Sequence, residues 1–178
     1  MPRYDATVKT VVLGDPPAEL AQLIERRRAQ GLDTYDELWE GSYHVAPAAR
    51  FRHAYLDDAV AVMLHPYARA AGLIGSGPFN LGSQDNYRVP DRGFHRRLED
   101  AVYLETAAIV IEILSPDDET FEKFPFYAAH GVDEVLVVDP DRRRVRVFEL
   151  EGATYQEAER SPLLGVAGSD LAAALTWP

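Results

Sequence analysis

Residues 107–118 read AAIVIEILSPDD. From Ala107 to Leu114 the run is apolar apart from one carboxylate, Glu112. A strand covered on both faces reads as a near-continuous Val/Ile stretch, so this segment belongs at the centre of a sheet. An unpaired carboxylate there costs several kcal/mol or gives up its charge, so Glu112 requires a cation close by.

The segments on either side supply the architecture. EKFPFYAAHG (122–131) reads as a helix and VDEVLVVDP (132–140) as a second buried strand that ends at Asp139 and Pro140. A helix between two such strands is the mark of a right-handed crossover joining parallel neighbours. RVRVFELEG (144–152) adds another strand. Upstream, GLIGSGPFNLGSQDNYRVPD (72–91) is rich in Gly, Ser and Asn and suits short strands joined by tight turns. FRHAYLDDAVAVMLHPYARAAG (51–72) is predicted helical, with Phe51, Tyr55, Ala59, Val62 and Met63 on one face and a bend near Pro66. YDELWEGSYHVAP (35–47) suits a hairpin around Gly41 that ends at Pro47. Asp15-Pro16-Pro17 caps a helix that runs to Gly31, with Leu20, Leu23 and Ile24 at helical spacing. The order implies an α/β fold, a mixed sheet flanked by helices. It forms one domain over 1–178, with residues 1–34 as an N-terminal helical extension.

Composition sets the limits on function. A chain of 178 residues that is 47% hydrophobic can bury one sizeable core. It has no cysteine, so any metal must sit on oxygen or imidazole, and a reducing, cytoplasmic setting is expected. No run approaches the length of a membrane span. The formal charge of −11 argues against a general nucleic-acid coat. Of the clusters Arg26–Arg28, Arg50 with Arg52, Arg92 with Arg96 and Arg97, and Arg142–Arg144 with Arg146, most read as solvated faces that balance nearby acids.

The natural compensating cation for Glu112 is a hard divalent ion. Pro90-Asp91 lies about twenty residues upstream, a separation suited to hairpin neighbours. If Asp91 and Glu112 converge they repel, unless a hard divalent ion lies between them; Mg²⁺ takes one or two carboxylates and leaves its other positions to water and phosphate. Lys123 is the third member of the group. Of the 18 basic residues only Lys9 and Lys123 are lysines, and a compact ammonium beside a metal-bound water can orient a nucleophile or stabilise charge on a phosphate.

YRVPD, IVIEILSPDDET and EKFPFYAAHGVDEVLVVDP together resemble the Uma family of endonucleases, a branch of the PD-(D/E)xK nuclease superfamily. The likeness runs roughly from Tyr35 to Tyr155 and is strongest from Arg88 to Pro140. It implies a restriction-endonuclease-like core, Mg²⁺ or Mn²⁺ as cofactor and DNA as substrate. Asp91 and Glu112 would be the ligands, with the carbonyl of Ile113 as a third. The superfamily pattern places Lys two residues after the acid, where this chain has Leu114, so Lys123 from the next helix would replace it. In DELWEG the resemblance assigns an auxiliary acid to Glu37, with Glu40 as second choice, and Ser42 stands where many members carry Glu. His53 matches a histidine common in the family and would touch phosphate or water. The expectation is a Mg²⁺-dependent endonuclease, in a homodimer. The alternative is a nuclease-like fold kept as a binding or oligomerisation module.

Overall fold

The apolar run forms the strand around which the rest is arranged. The computed structural model describes residues 10–12, 18–46, 49–116 and 119–178. The N-terminal half runs β1 (Thr10–Val12), α1 (Ala18–Ala29), β2 (Glu37–Trp39), β3 (Ser42–Val45), the long α2 (Phe51–Ala70), β4 (Ile74–Ser76), β5 (Asn80–Ser83), β6 (Asn86–Arg88) and β7 (Arg92–His95). There follow β8 (Tyr103–Leu104), β9 (Ile109–Ile113), a 3₁₀ turn (Thr120–Lys123), α3 (Phe124–Ala129), β10 (Glu134–Asp139), β11 (Arg144–Glu151), β12 (Thr154–Ala158), β13 (Arg160–Ser161), β14 (Val166–Ala167) and α4 (Gly168–Ala174).

Two mixed six-stranded sheets result, in the orders β1-β3-β2-β6-β5-β8 and β12-β11-β10-β9-β7-β4, with β13 and β14 as a separate pair. β9 and β10 are parallel, Glu134 beside Ile109 through Val138 beside Ile113, and α3 lies in the connection between them. β7 runs antiparallel on the other side of β9, with Arg92 opposite Ile111. All five residues of β9 and all six of β10 are buried, as a doubly covered central strand requires.

Alternation along β9 divides the core in two. Ile109, Ile111 and Ile113 pack with Leu56, Val60 and Leu64 of α2 and Leu171 of α4. Val110 faces the other way, toward Leu81 of β5 and Phe126 and Tyr127 of α3. Each fully buried Leu or Val in these layers contributes roughly 1.5–3 kcal/mol. α1 closes the outer side of the first sheet, where Ile24 packs on Val12 and Tyr43. Buried Asp36 pins this corner. It accepts from Arg27 Nε and Nη2 at 2.8 Å each, from the Tyr43 hydroxyl at 2.9 Å and from the Ala46 amide at 2.8 Å.

The hairpin expected around Gly41 is β2–β3. Its two-residue turn places Glu40 at φ 44° and Gly41 at φ 86°, the left-handed pair that a tight hairpin loop demands. Two sequence expectations need correction. The face of α2 turned to the core carries Leu56, Val60, Leu64 and Ala68, whereas Phe51 and Val62 are 85% and 70% exposed. Ala59 and Met63 of the expected face do pack against this core; both stripes have helical spacing, and only the sheet against which the helix lies fixes how far the face is rotated. In α1, Ile24 is buried but Leu23 is exposed. The helix of α2 continues through Pro66 to Ala70. The cap at Asp15-Pro16-Pro17 and the stop at Pro47 lie outside the described residues. Within 1–34, Thr10–Val12 is a strand paired with β3 and Ala18–Ala29 is the helix.

Candidate active site

The same alternation that sends Ile111 and Ile113 toward α2 sends Glu112 the other way, toward the connection that carries Lys123 and Tyr127. The Lys123 ammonium lies 3.0 Å from Glu112 Oε1. It lies 3.0 Å also from Oε1 of Glu37, which arrives from β2 in the other sheet. The buried hydroxyl of Tyr127 donates to Glu112 Oε1 as well. A lysine from the crossover is therefore the cation that the central carboxylate required.

Glu37 is held on all sides. Its Oε1 also accepts from the Val89 amide at 2.7 Å, and its Oε2 accepts from the Trp39 indole at 2.7 Å. The lysine is thus fixed between two carboxylates, each placed by a different sheet.

Asp91 sits one residue before β7. Continuing the β7–β9 register sets it opposite Glu112. Its Oδ2 accepts from the Ile113 amide at 2.7 Å, and its Oδ1 lies 3.0 Å from His53 Nε2 on α2. One turn further along α2, Asp57 pairs with Arg92, Nη2 to Oδ2 at 3.0 Å. Two successive pairs therefore fasten the Asp91-Arg92 segment to one helix face.

These groups open on one cavity of about 420 Å³, lined by Glu37, His44, His53, Asp91, Glu112, Ile113, Glu119 and Lys123 among others. Burial pushes the Glu112 carboxyl up; Lys123 pulls it down, Asp91 raises it, Tyr127 lowers it and Glu37 raises it, and the balance leaves it at about 7. Burial works against the charge of Lys123, yet the attraction of Glu112 and Glu37 outweighs it and holds the ammonium well above its ordinary value. Tyr127 is likewise pushed up, first by burial and then by Glu112.

Of the sequence-derived site residues, Asp91, Glu112, Ile113, Lys123, Glu37 and His53 all line this cavity. Glu40 does not join them. It makes a bidentate pair with Arg88 Nη2 at 3.1 Å, and the Arg88 guanidinium lies between the Trp39 and Phe126 rings at 4.3 and 4.1 Å. Two residues stand in the site without a sequence reading that put them there. Tyr127 is one, hidden in an apolar helix. His44 is the other: it stands opposite Glu37 in the β2–β3 register, stacks on Trp39 with centroids 4.3 Å apart, and sets Nδ1 3.3 Å from Glu119 Oε2. The two-residue turn pairs Glu37 with His44 and was the signal available in the sequence.

The donors fit a hard divalent ion. Among the described residues no three His, Asp or Glu side chains are grouped to enclose a metal. What is present is all oxygen: two facing carboxylates and the strand carbonyl of Ile113. That set matches the habit of Mg²⁺, which completes its shell with water and phosphate. Lys123 and Tyr127 both take Oε1 of Glu112, so Oε2 lies outside both contacts.

An α/β core whose central strand carries an acid, with a second acid at the head of the adjacent strand and a buried lysine beside them, defines the restriction-endonuclease-like class. The chain is similar to a solved structure described as a putative nuclease belonging to DUF820 from Anabaena variabilis. They share 20% identity at a TM-score of 0.58, covering 79% of this chain and 91% of the other. Residues 19–176 match the Uma2 family, described as putative restriction endonuclease, and the chain belongs to that family. No curated protein matches it. Among the described residues no helix is long and apolar enough to cross a membrane.

Proposed function

We propose that the protein is a Mg²⁺-dependent endonuclease that hydrolyses phosphodiester bonds of DNA, with Mn²⁺ able to replace Mg²⁺. The observation that carries this reading is the convergence, from four separate segments of the chain, of Asp91, Glu112, Lys123 and Glu37 on one cavity. Membership of a family described as putative restriction endonuclease supports it.

Asp91 and Glu112, with the Ile113 carbonyl, would hold the ion, which when bound supplies an activated water and neutralises charge on the phosphoryl oxygens. Lys123 keeps its proton throughout, because the attraction of Glu112 and Glu37 outweighs the cost of burial. An ammonium has three donors; two are spent on Glu37 and Glu112, and the third is left for the attacking water or a phosphoryl oxygen. Glu37 acts through Lys123, whose ammonium its Oε1 holds at 3.0 Å. Tyr127 holds Glu112 from behind. A homodimer joined at a sheet edge belongs to the same reading, and β12 and β4 are the terminal strands of the second sheet.

The test is cleavage of plasmid and oligonucleotide DNA with Mg²⁺, Mn²⁺ or EDTA. Activity is expected with either metal and none with EDTA, and Asp91→Asn and Lys123→Met should each lose at least about a hundredfold. A wild-type protein that binds metal and cleaves no DNA would be a nuclease-like binding module instead.

A further inference from the structure

We infer that Arg50, Phe51 and Arg52, at the head of α2, form a grip for an unpaired DNA strand beside the scissile phosphate, the arginines holding phosphates and the Phe51 ring stacking on a base. This rests on the phosphodiesterase reading above and names the form of DNA that reading leaves open. Arg50, Arg52, His53 and Ala54 all line the catalytic cavity, and both arginines are exposed, so the segment stands at its mouth. Phe51, set between the two arginines, is 85% exposed.

Charge singles out this segment. Arg92, Arg96 and Arg97 each pair with a carboxylate, as do Arg142, Arg144 and Arg146. Lys123 is shared by Glu37 and Glu112. Arg50 makes no ion pair among the described residues. Arg52 meets only the exposed Asp141, at 3.5 Å, a surface contact worth little in water and readily exchanged for a phosphate. A duplex lays two rows of phosphates on a protein and needs a basic track to hold them. A chain of net charge −11 with its other arginine clusters so neutralised is ill suited to that, and what it offers is one local pair of guanidinium groups.

An unpaired strand needs less charge. It is held by a few phosphate contacts together with aromatic rings under its bases, and the stacking tolerates any sequence because every base has a π-face. Arg50-Phe51-Arg52 interleaves those two kinds of contact. Tyr55, one turn further on the same face of α2 as Phe51, is 41% exposed and offers a second ring. The depth of the site points the same way. The side chains of Lys123 and Glu112 are only 11% and 5% exposed, within a cavity of about 420 Å³. A flexible strand can feed a phosphate into such a recess, whereas a base-paired backbone would first have to be opened.

Binding measured apart from cleavage tests this. Wild type, Arg50→Ala, Phe51→Ala and Phe51→Trp are titrated in EDTA with a fluorescein-labelled single-stranded oligonucleotide and with its duplex, by fluorescence anisotropy over a range of salt. Wild type is expected to bind the single strand at least about tenfold more tightly than the duplex. Phe51→Ala should weaken single-strand binding by about tenfold, the worth of one stacked base, and Phe51→Trp should retain it. Leu98→Ala, which removes an equally exposed apolar side chain whose neighbours lie outside the cavity, should bind as wild type does. Arg50→Ala should reduce the slope of log affinity against log salt by about 0.7, one single-strand phosphate contact. Equal affinity for the two forms of DNA, or Phe51→Ala binding as wild type does, would overturn the assignment. Cleavage of the same DNA with Mn²⁺ is read separately. Phe51-dependent binding of the single strand without cleavage would support the grip as a binding site and fail the nuclease reading, whereas preferential cleavage of the duplex would overturn the grip and leave the nuclease reading standing.

Discussion

Lys123→Met is the most informative perturbation of the molecule's stability. The substitution keeps the buried stem and removes an ammonium 3.0 Å from each of two carboxylates. At an effective dielectric near 20 each such contact is worth about 5 kcal/mol in Coulomb energy, offset by several kcal/mol for desolvating the ammonium. Stripping one partner from a buried pair leaves a net loss of about 3–5 kcal/mol. The pH dependence gives the test its edge. The Glu112 carboxyl is raised from its ordinary 4.5 to about 7, so between those values the folded state binds more protons than the unfolded chain. That contribution to stability is complete below about 4.5 and is lost as pH rises through about 7. Without Lys123, which pulls the value down, Glu112 should titrate still higher and the variant should lose stability more steeply with pH. Urea unfolding in EDTA from pH 5 to 8, followed by tryptophan fluorescence, reads this directly. The expected loss is about 3–5 kcal/mol at pH 8 and shrinks toward pH 5, and adding Glu112→Gln should restore part of it. A loss below about 1 kcal/mol that does not vary with pH, the worth of a surface pair, would refute the placement of Lys123 between the two carboxylates.

Other consequences can be checked alongside. Tyr127→Phe removes a buried donor to Glu112 and should cost about 1.5–3 kcal/mol in urea unfolding at pH 8; a cost under about 0.5 kcal/mol would contradict that bond. Asp36→Asn breaks the Arg27, Tyr43 and Ala46 contacts and should cost about 3 kcal/mol or more while leaving metal affinity unchanged. A parallel fall in metal affinity would show that this corner and the cavity are coupled. On α2, Val62→Lys should fall within about 0.5 kcal/mol of wild type, whereas Val60→Lys should abolish folding. The reverse outcome would put the helix the other way round.

The centre of the fold was legible because its signals are local and strong. IVIEI and EVLVVD are apolar without alternation, and the helical segment between them leaves little choice but a parallel crossover, which β9, α3 and β10 form. What the sequence concealed was the choice among equivalent surfaces. Phe51, Tyr55 and Val62 recur at helical spacing just as Leu56, Val60 and Leu64 do, and the deciding contact is with strands more than forty residues away. The hairpin β2–β3 and the short strands of 72–91 were legible, but not that β5 and β6 join the hairpin, β1 and β8 in one sheet. Its strands are two to four residues long, too short for a period-2 pattern to stand out.

Within the site, Asp91, Glu112 and Lys123 could be proposed because a buried charge demands partners and the resemblance supplied them. Only the resemblance ranked Glu37 above Glu40, three residues away in the turn; the structure sends Glu37 to Lys123 and Glu40 to Arg88. His44 was missed because a lone histidine in a hairpin carries no chemistry until the register sets it beside Glu37.

Calorimetric titration of Mn²⁺ into the wild-type protein, Asp91→Ala and Glu112→Gln addresses the joint carboxylate site most directly. Saturable binding of one ion to wild type is expected, with each single substitution weakening it at least about tenfold. Binding that persists unchanged in both variants, or no binding to wild type at all, would contradict a metal held between the central strand and the head of its neighbour.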